Sequence, residues 1–264
     1  MTPLDNLTHR VRRRFREESA KRIRTRTVRA ANPKPMISFT FDDVPVTAAT
    51  EGAVMLERVG ARGTFYVAGA LCGTVGEEYP HLSAQGCADL YARGHEIACH
   101  TFSHRHVANL SESELADEIA RNRRFFERLG GIRLESFSYP FGGVSLARKR
   151  QLQSVFASCR STMPGLNGPE FDLGYLRAVG LWRGISPDTV QQWIDRAVRE
   201  NAWLIFVAHD IAADHAPWGC TPALFLDAVR RAAASGARIL TVREALAFAG
   251  VGESAAHVPA AVPA

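Results

Sequence analysis

Long apolar runs are missing from this 264-residue chain. No stretch of about 18 apolar residues occurs, which excludes a membrane-spanning helix on sequence grounds. The start lacks the apolar core and small-residue cleavage site of a secretory signal, so the expectation is a cytoplasmic protein. Cysteine is scarce. The five residues Cys72, Cys87, Cys99, Cys159 and Cys220 are odd in number, scattered and without a CxxC pair. That set excludes a disulfide framework and fits free thiols in a reduced compartment. There is no internal repeat, and Gly and Pro are spread along the chain rather than gathered into a linker.

What is present is a globular composition, 46% hydrophobic and 22% charged, enough for one large domain or two small ones. The formal net charge of +5 sits at the front, where ten basic residues from Arg10 to Arg29 precede the first apolar run. The chain therefore divides into a basic arm (1–32), a domain (33–250) and an Ala/Val/Pro-rich tail (251–264) expected to be disordered. The arm suits peripheral contact with an anionic membrane, or is a solvated helix packed on the outside of the domain; no nucleic-acid partner is expected.

Short β-rich runs alternate with helical periodicity throughout the domain. The runs are Met36 to Phe41, Thr64 to Val67, Glu96 to Cys99, Ser136 to Tyr139, Phe156 to Cys159, Leu176 to Val179, Leu204 to Ala208 and Arg238 to Thr241. Ser111 and Glu114 form a capping-box pattern ahead of an apolar stripe that Gly130-Gly131 ends. Another helix opens at Ser186-Pro187-Asp188. Seven or eight β-α units imply an α/β fold with a parallel sheet, and at this length a distorted (β/α) barrel in a single domain is the economical form; an open doubly wound sheet is the alternative.

The polar outliers fall at the carboxyl ends of those runs. Asp42-Asp43 end the first, His100 the third, Tyr139-Pro140-Phe141-Gly142 the fourth, and His209 the seventh. Adjacent carboxylates at a strand end are costly unless a metal or a proton transfer uses them. His100 and His104, spaced i, i+4, with one aspartate make a three-ligand site that leaves positions open for water and substrate. If Asp43 is the ligand, Asp42 is held within reach as a general base, and His209 is placed to act as the acid. Each group has a plainer role, such as an Asx turn after a strand, a buried thiol at Cys99, or a hydrogen-bonded histidine at His95, His106 or His215. Convergence on one barrel mouth is what those separate roles leave unexplained.

Thr40-Phe41-Asp42-Asp43, His100-Thr101-Phe102-Ser103-His104, Tyr139-Pro140-Phe141-Gly142 and Val207-Ala208-His209 resemble, in order, the motifs of polysaccharide deacetylases with a NodB-homology domain, carbohydrate esterase family four. The resemblance covers about residues 36 to 246. It implies a metal-dependent hydrolase of the acetamide of an N-acetylated carbohydrate. Asp43, His100 and His104 would hold a divalent cation, commonly Zn2+, with Co2+, Ni2+ or Fe2+ as alternatives for such a ligand set. The backbone amide of Phe141, in a turn with Tyr139 and Pro140, would face the oxyanion.

This chain departs from the family pattern at the third motif, where Ser138 stands in place of an arginine that orients the catalytic aspartate. Arg177, in a later strand, is the expected substitute, or else pairs with a surface acid. The fourth motif is not cleanly present, which leaves the orienter of His209 open. Trp218, in the loop after His209, is either a sugar-stacking wall or a loop anchor. The expected substrate is an oligosaccharide or glycan precursor. A small-amide or cyclic-amide hydrolase of the same fold, or a non-catalytic glycan or polyanion binder, are the other readings.

Overall fold

The computed structural model describes residues 18–31 and 33–251. No helix among them is long and apolar enough to cross a membrane. The strands are β1 (Thr27–Arg29), β2 (Met36–Asp42), β3 (Thr64–Val67), β4 (Glu96–Cys99), β5 (Ser136–Ser138), β6 (Ser158–Arg160), β7 (Glu170–Asp172), β8 (Val179–Gly180), β9 (Trp203–Ala208) and β10 (Arg238–Ile239). The helices are α1 (Val54–Glu57), α2 (Ala84–Ala92), α3 (Glu112–Arg128), α4 (Leu146–Gln153), α5 (Pro187–Arg199), α6 (Pro222–Ala234) and α7 (Val242–Phe248). Each of the eight expected apolar runs contains or overlaps a strand.

The main sheet is parallel, in the order β6-β5-β4-β3-β2-β9-β8, with β10 also paired to β2. Its two edges are joined by one segment. Leu176 bridges Arg160 of β6, and the chain runs on into β8 beside β9. Residues 176–180 thus turn an open sheet into a distorted barrel, and the doubly wound alternative does not hold.

β2 is buried along its whole length. Ile37, Phe39 and Phe41 face the helix layer, where Phe41 stacks on Phe65 at 4.6 Å and Phe39 meets Phe225 of α6 edge-on. Strand alternation turns Ser38, Thr40 and Asp42 the other way, into the barrel. A strand covered on both faces reads as a nearly continuous apolar run, which is why the sequence shows no clean alternation here.

The barrel interior combines apolar side chains, Ile205 and Val207 among them, with a hydrogen-bonded polar cluster. At the lower end the Glu96 carboxylate accepts from Ser136 Oγ (2.7 Å), Thr64 Oγ1 (2.9 Å) and the Arg243 amide (2.8 Å), while the Val242 amide donates to Thr64 Oγ1. Burial pushes the Glu96 carboxyl above its ordinary range. The first amides of α7 therefore plug the bottom of the barrel, leaving the upper end as the mouth.

The second half of the basic N-terminal segment is docked on the domain. β1 pairs antiparallel with β7, and Asp172 accepts from the amides of Thr25 and Arg26 and pairs with the buried Lys149 at 2.7 Å. Lys149 also donates to the carbonyls of Ala20 and Ile23. Arg24 and Arg29 both reach Glu170. The arm's residues 1–17 and the tail's residues 252–264 lie outside the described residues. The expected capping box is present, with Ser111 Oγ accepting from the Glu114 amide and Glu114 closing back on Ser111.

Candidate metal centre

The mouth is built by sharp turns immediately after the strands. Asp43 (φ 57°), Val44 (φ 50°), Thr101 (φ 59°), His104 (φ 53°) and Phe141 (φ 59°) all take the left-handed conformation. Asn201 is the one other non-glycine residue that does so among those described. Such conformations are costly, especially for β-branched Val44 and Thr101, and persist where the surroundings over-determine them. Here they reverse the chain at the ends of β2, β4 and β5, so side chains from three strands return over the mouth.

Asp43, His100 and His104 converge there, each with one ligand atom within 4.8 Å of the others'. Asp43 Oδ1 lies 3.1 Å from His104 Nε2 and 3.5 Å from His100 Nε2, yet this buried oxygen has no hydrogen-bond partner among the described residues. His100 Nδ1 is taken by the Ser138 carbonyl at 2.9 Å and by Ser138 Oγ at 2.6 Å. A protonated Nδ1 donating to that carbonyl leaves the Nε2 lone pair facing Asp43. Burial lowers the pKa of His100 to about 3 and also lowers that of His104, so both rings are neutral. Burial raises Asp43 to about 6, against the pull of His209 and with the push of Asp42. Two lone pairs and an orphaned carboxylate oxygen aimed at one point fit a divalent cation.

Asp42 lives in a different environment. Although burial raises its carboxyl, the Arg160 guanidinium, helped by His100 and His209, holds it below its ordinary value. Arg160 Nη2 donates to Asp42 Oδ1, and Ser138 Oγ lies 3.4 Å from the same oxygen. The Arg160 guanidinium also sits 4.8 Å over the Tyr66 ring. Adjacent aspartates are thus separated by their partners: one clamped by a cation, the other left facing two lone pairs.

The arginine that clamps Asp42 is Arg160, and this corrects the expectation for Arg177. Leu176 and Ala178 are buried, which turns the intervening Arg177 outward, where its guanidinium lies 3.4 Å from the Pro164 carbonyl. Arg160 stands directly beside Ser138 in the β5–β6 register. The arginine has moved one strand over at the same height. A cation closing the apolar run of β6 was the available signal, the same one that marks Asp42-Asp43 and His209.

His209 approaches from the opposite side, with Nε2 3.8 Å from Asp43 Oδ2. Its buried Nδ1 has no hydrogen-bond partner among the described residues, so the side chain meets no orienting carboxylate. Phe141 is 67% exposed and its ring lies 4.5 Å from that of His104, at the rim. Tyr139 is a correction. Its ring is buried and its hydroxyl donates to the Gly174 carbonyl at 2.7 Å, so it serves the core rather than a substrate. Pro140 is likewise buried and opens the turn that presents Phe141. Trp218 is half exposed, edge-on to Trp182 at 5.6 Å, and its carbonyl accepts from the His209 amide. Cys99 is buried and receives a hydrogen bond from Asn122, a packing role. Tyr79, which the sequence did not single out, places its hydroxyl 3.5 Å from Asp43 Oδ2.

The sequence model for the polysaccharide deacetylase family matches residues 29–155. A peptidoglycan-N-acetylglucosamine deacetylase of Bacillus cereus is 31% identical over 98 residues, 37% of this chain and 42% of that protein. The chain spans less than half the length of the curated relatives it matches. A family 4 acetyl xylan esterase from Clostridium thermocellum, solved with a cobalt ion, superposes with a TM-score of 0.57 at 19% identity, over 81% of this chain and 92% of that one. A family pseudoenzyme from Bacillus anthracis superposes with a TM-score of 0.56 at 13% identity, over 82% and 67%. The barrel and its motif order define a carbohydrate-esterase-like α/β fold. Over residues 29–155, just under half of its length, the chain is similar to the polysaccharide deacetylase family.

Proposed function

We propose that the protein is a hydrolase that releases acetate from the acetamide of an N-acetylated sugar, on an oligosaccharide or glycan precursor. The observation that carries this reading is the unequal treatment of Asp42 and Asp43. Asp43, His100 and His104 would hold a divalent cation, zinc first among the candidates. Bound there, the cation would activate water and polarise the acetamide carbonyl. Asp42, kept ionised by Arg160, takes the proton of the attacking water as its oxygen bonds to the carbonyl carbon. His209, across the mouth, gives a proton to the departing sugar nitrogen as the carbon–nitrogen bond breaks, leaving acetate and a free amine. The Phe141 backbone amide, in a left-handed turn at the rim, would donate to the oxyanion. Trp218, exposed beside His209, offers a face for a sugar ring.

The test is metal analysis combined with acetate release from N-acetylated chitooligosaccharides. Stoichiometric metal with acetate production supports the reading. Bound metal without acetate from any sugar acetamide, but with turnover of a small or cyclic amide, replaces the substrate. No metal and salt-sensitive binding of polyanions replaces the enzyme with a binding protein.

A further inference from the structure

Helix α3 carries a second surface that the metal chemistry above does not use. Arg121, Arg124 and Arg128, at helical spacings of three and four, line one side of a cleft of about 390 Å3 whose apolar floor includes Phe102, Phe125 and Leu129. Phe102 belongs to the loop between His100 and His104, and its ring meets Phe125 edge-on at 6.2 Å. Arg121 lies over the Phe102 ring at 4.3 Å.

Four of the surface arginines elsewhere on this molecule are held by carboxylates. Arg93, Arg105, Arg196 and Arg231 each pair with a carboxylate at 2.6 to 3.0 Å. Arg124 and Arg128 are exposed and have no ion pair or hydrogen-bonded side chain among the described residues, although Glu127 sits between them on the same helix. The helix dipole accounts for Arg128 in the last turn, but it neither requires Arg124 nor makes a cleft. Two unpaired planar cations, and a third that stacks on an aromatic ring and reaches Asp117 and Glu118 only at 3.7 and 3.8 Å, suit a multiply charged anion that takes bidentate hydrogen bonds from the free forks.

We infer that this cleft binds a phosphate or diphosphate group, independently of the metal centre. Three probes distinguish the source of that group: inorganic pyrophosphate, uridine diphosphate, and vesicles containing phosphatidic acid. Saturable, salt-sensitive binding of at least one is expected, weakened about tenfold or more in Arg124→Gln/Arg128→Gln, with metal content and thermal midpoint unchanged because both side chains are exposed. Absence of binding by all three probes overturns the proposal. So does equal affinity in the double variant, since it would place the anion elsewhere, at the metal site included.

Discussion

The difference between Asp42 and Asp43 originates in single side chains. Arg160 and Asp42 are both fully buried, so removing the cation leaves an uncompensated carboxylate, at a cost of about 3–5 kcal/mol. Arg160→Gln should therefore lower the thermal midpoint and turnover together, while Arg177→Gln, at an outward position, should change stability by no more than about 0.5 kcal/mol and leave turnover intact. The positions of Asp42, Asp43, His100 and His209 were legible in the sequence because each ends an apolar run, and that of His104 because of its i, i+4 spacing from His100. Arg160 has the same mark, but the apolar run of the sequence ends at Cys159, one residue short of the strand's end at Arg160. Tyr139 misled in the other direction: its motif neighbours line the turn, yet its own ring fills the core, and only the local backbone decides which.

At the scale of elements, α3 fastens the metal loop. The buried Glu118 carboxylate accepts from the amides of Phe102 and Ser103 at 2.9 and 2.7 Å and from Ser103 Oγ at 2.8 Å, all within the turn between the two histidines. Such outer partners typically govern metal affinity by about 10- to 100-fold. Glu118→Ala should weaken cobalt affinity in that range, measured by titration against a chelator, while the wild-type circular dichroism is kept. The eight barrel strands were legible from their length and β-rich composition. The small β1–β7 ribbon was not, because each strand has three residues and its pairing rests on Asp172 and Lys149, partners more than a hundred residues from the segment they fasten. Likewise the composition of Leu176 to Val179 predicts one strand, whereas the segment divides its pairing between β6 and β8's neighbour β9 to close the barrel.

For the whole molecule, a cation held by Asp43, His100 and His104 would make stability depend on pH and on metal. In the metal-free protein the Asp43 pKa is raised to about 6 from its ordinary 3.8. Between those values the folded state binds more protons than the unfolded chain, so this group's stabilising contribution is lost as pH rises through about 6, by up to about 3 kcal/mol. A cation bound by the ionised carboxylate removes that penalty. The rise in thermal midpoint on adding cobalt should thus be larger at about pH 7.5 than at about pH 5, where protons compete for the ligands. A metal shift that grows on acidification would contradict this account of Asp43.

The most direct measurement compares metal content and acetate release in Asp42→Asn and Asp43→Asn. The account predicts that Asp42→Asn keeps stoichiometric metal and loses turnover by about 10²- to 10⁴-fold, and that Asp43→Asn loses the metal itself. Normal metal binding and activity in both variants, or loss of metal in Asp42→Asn with retention in Asp43→Asn, would contradict the division of roles between the two aspartates.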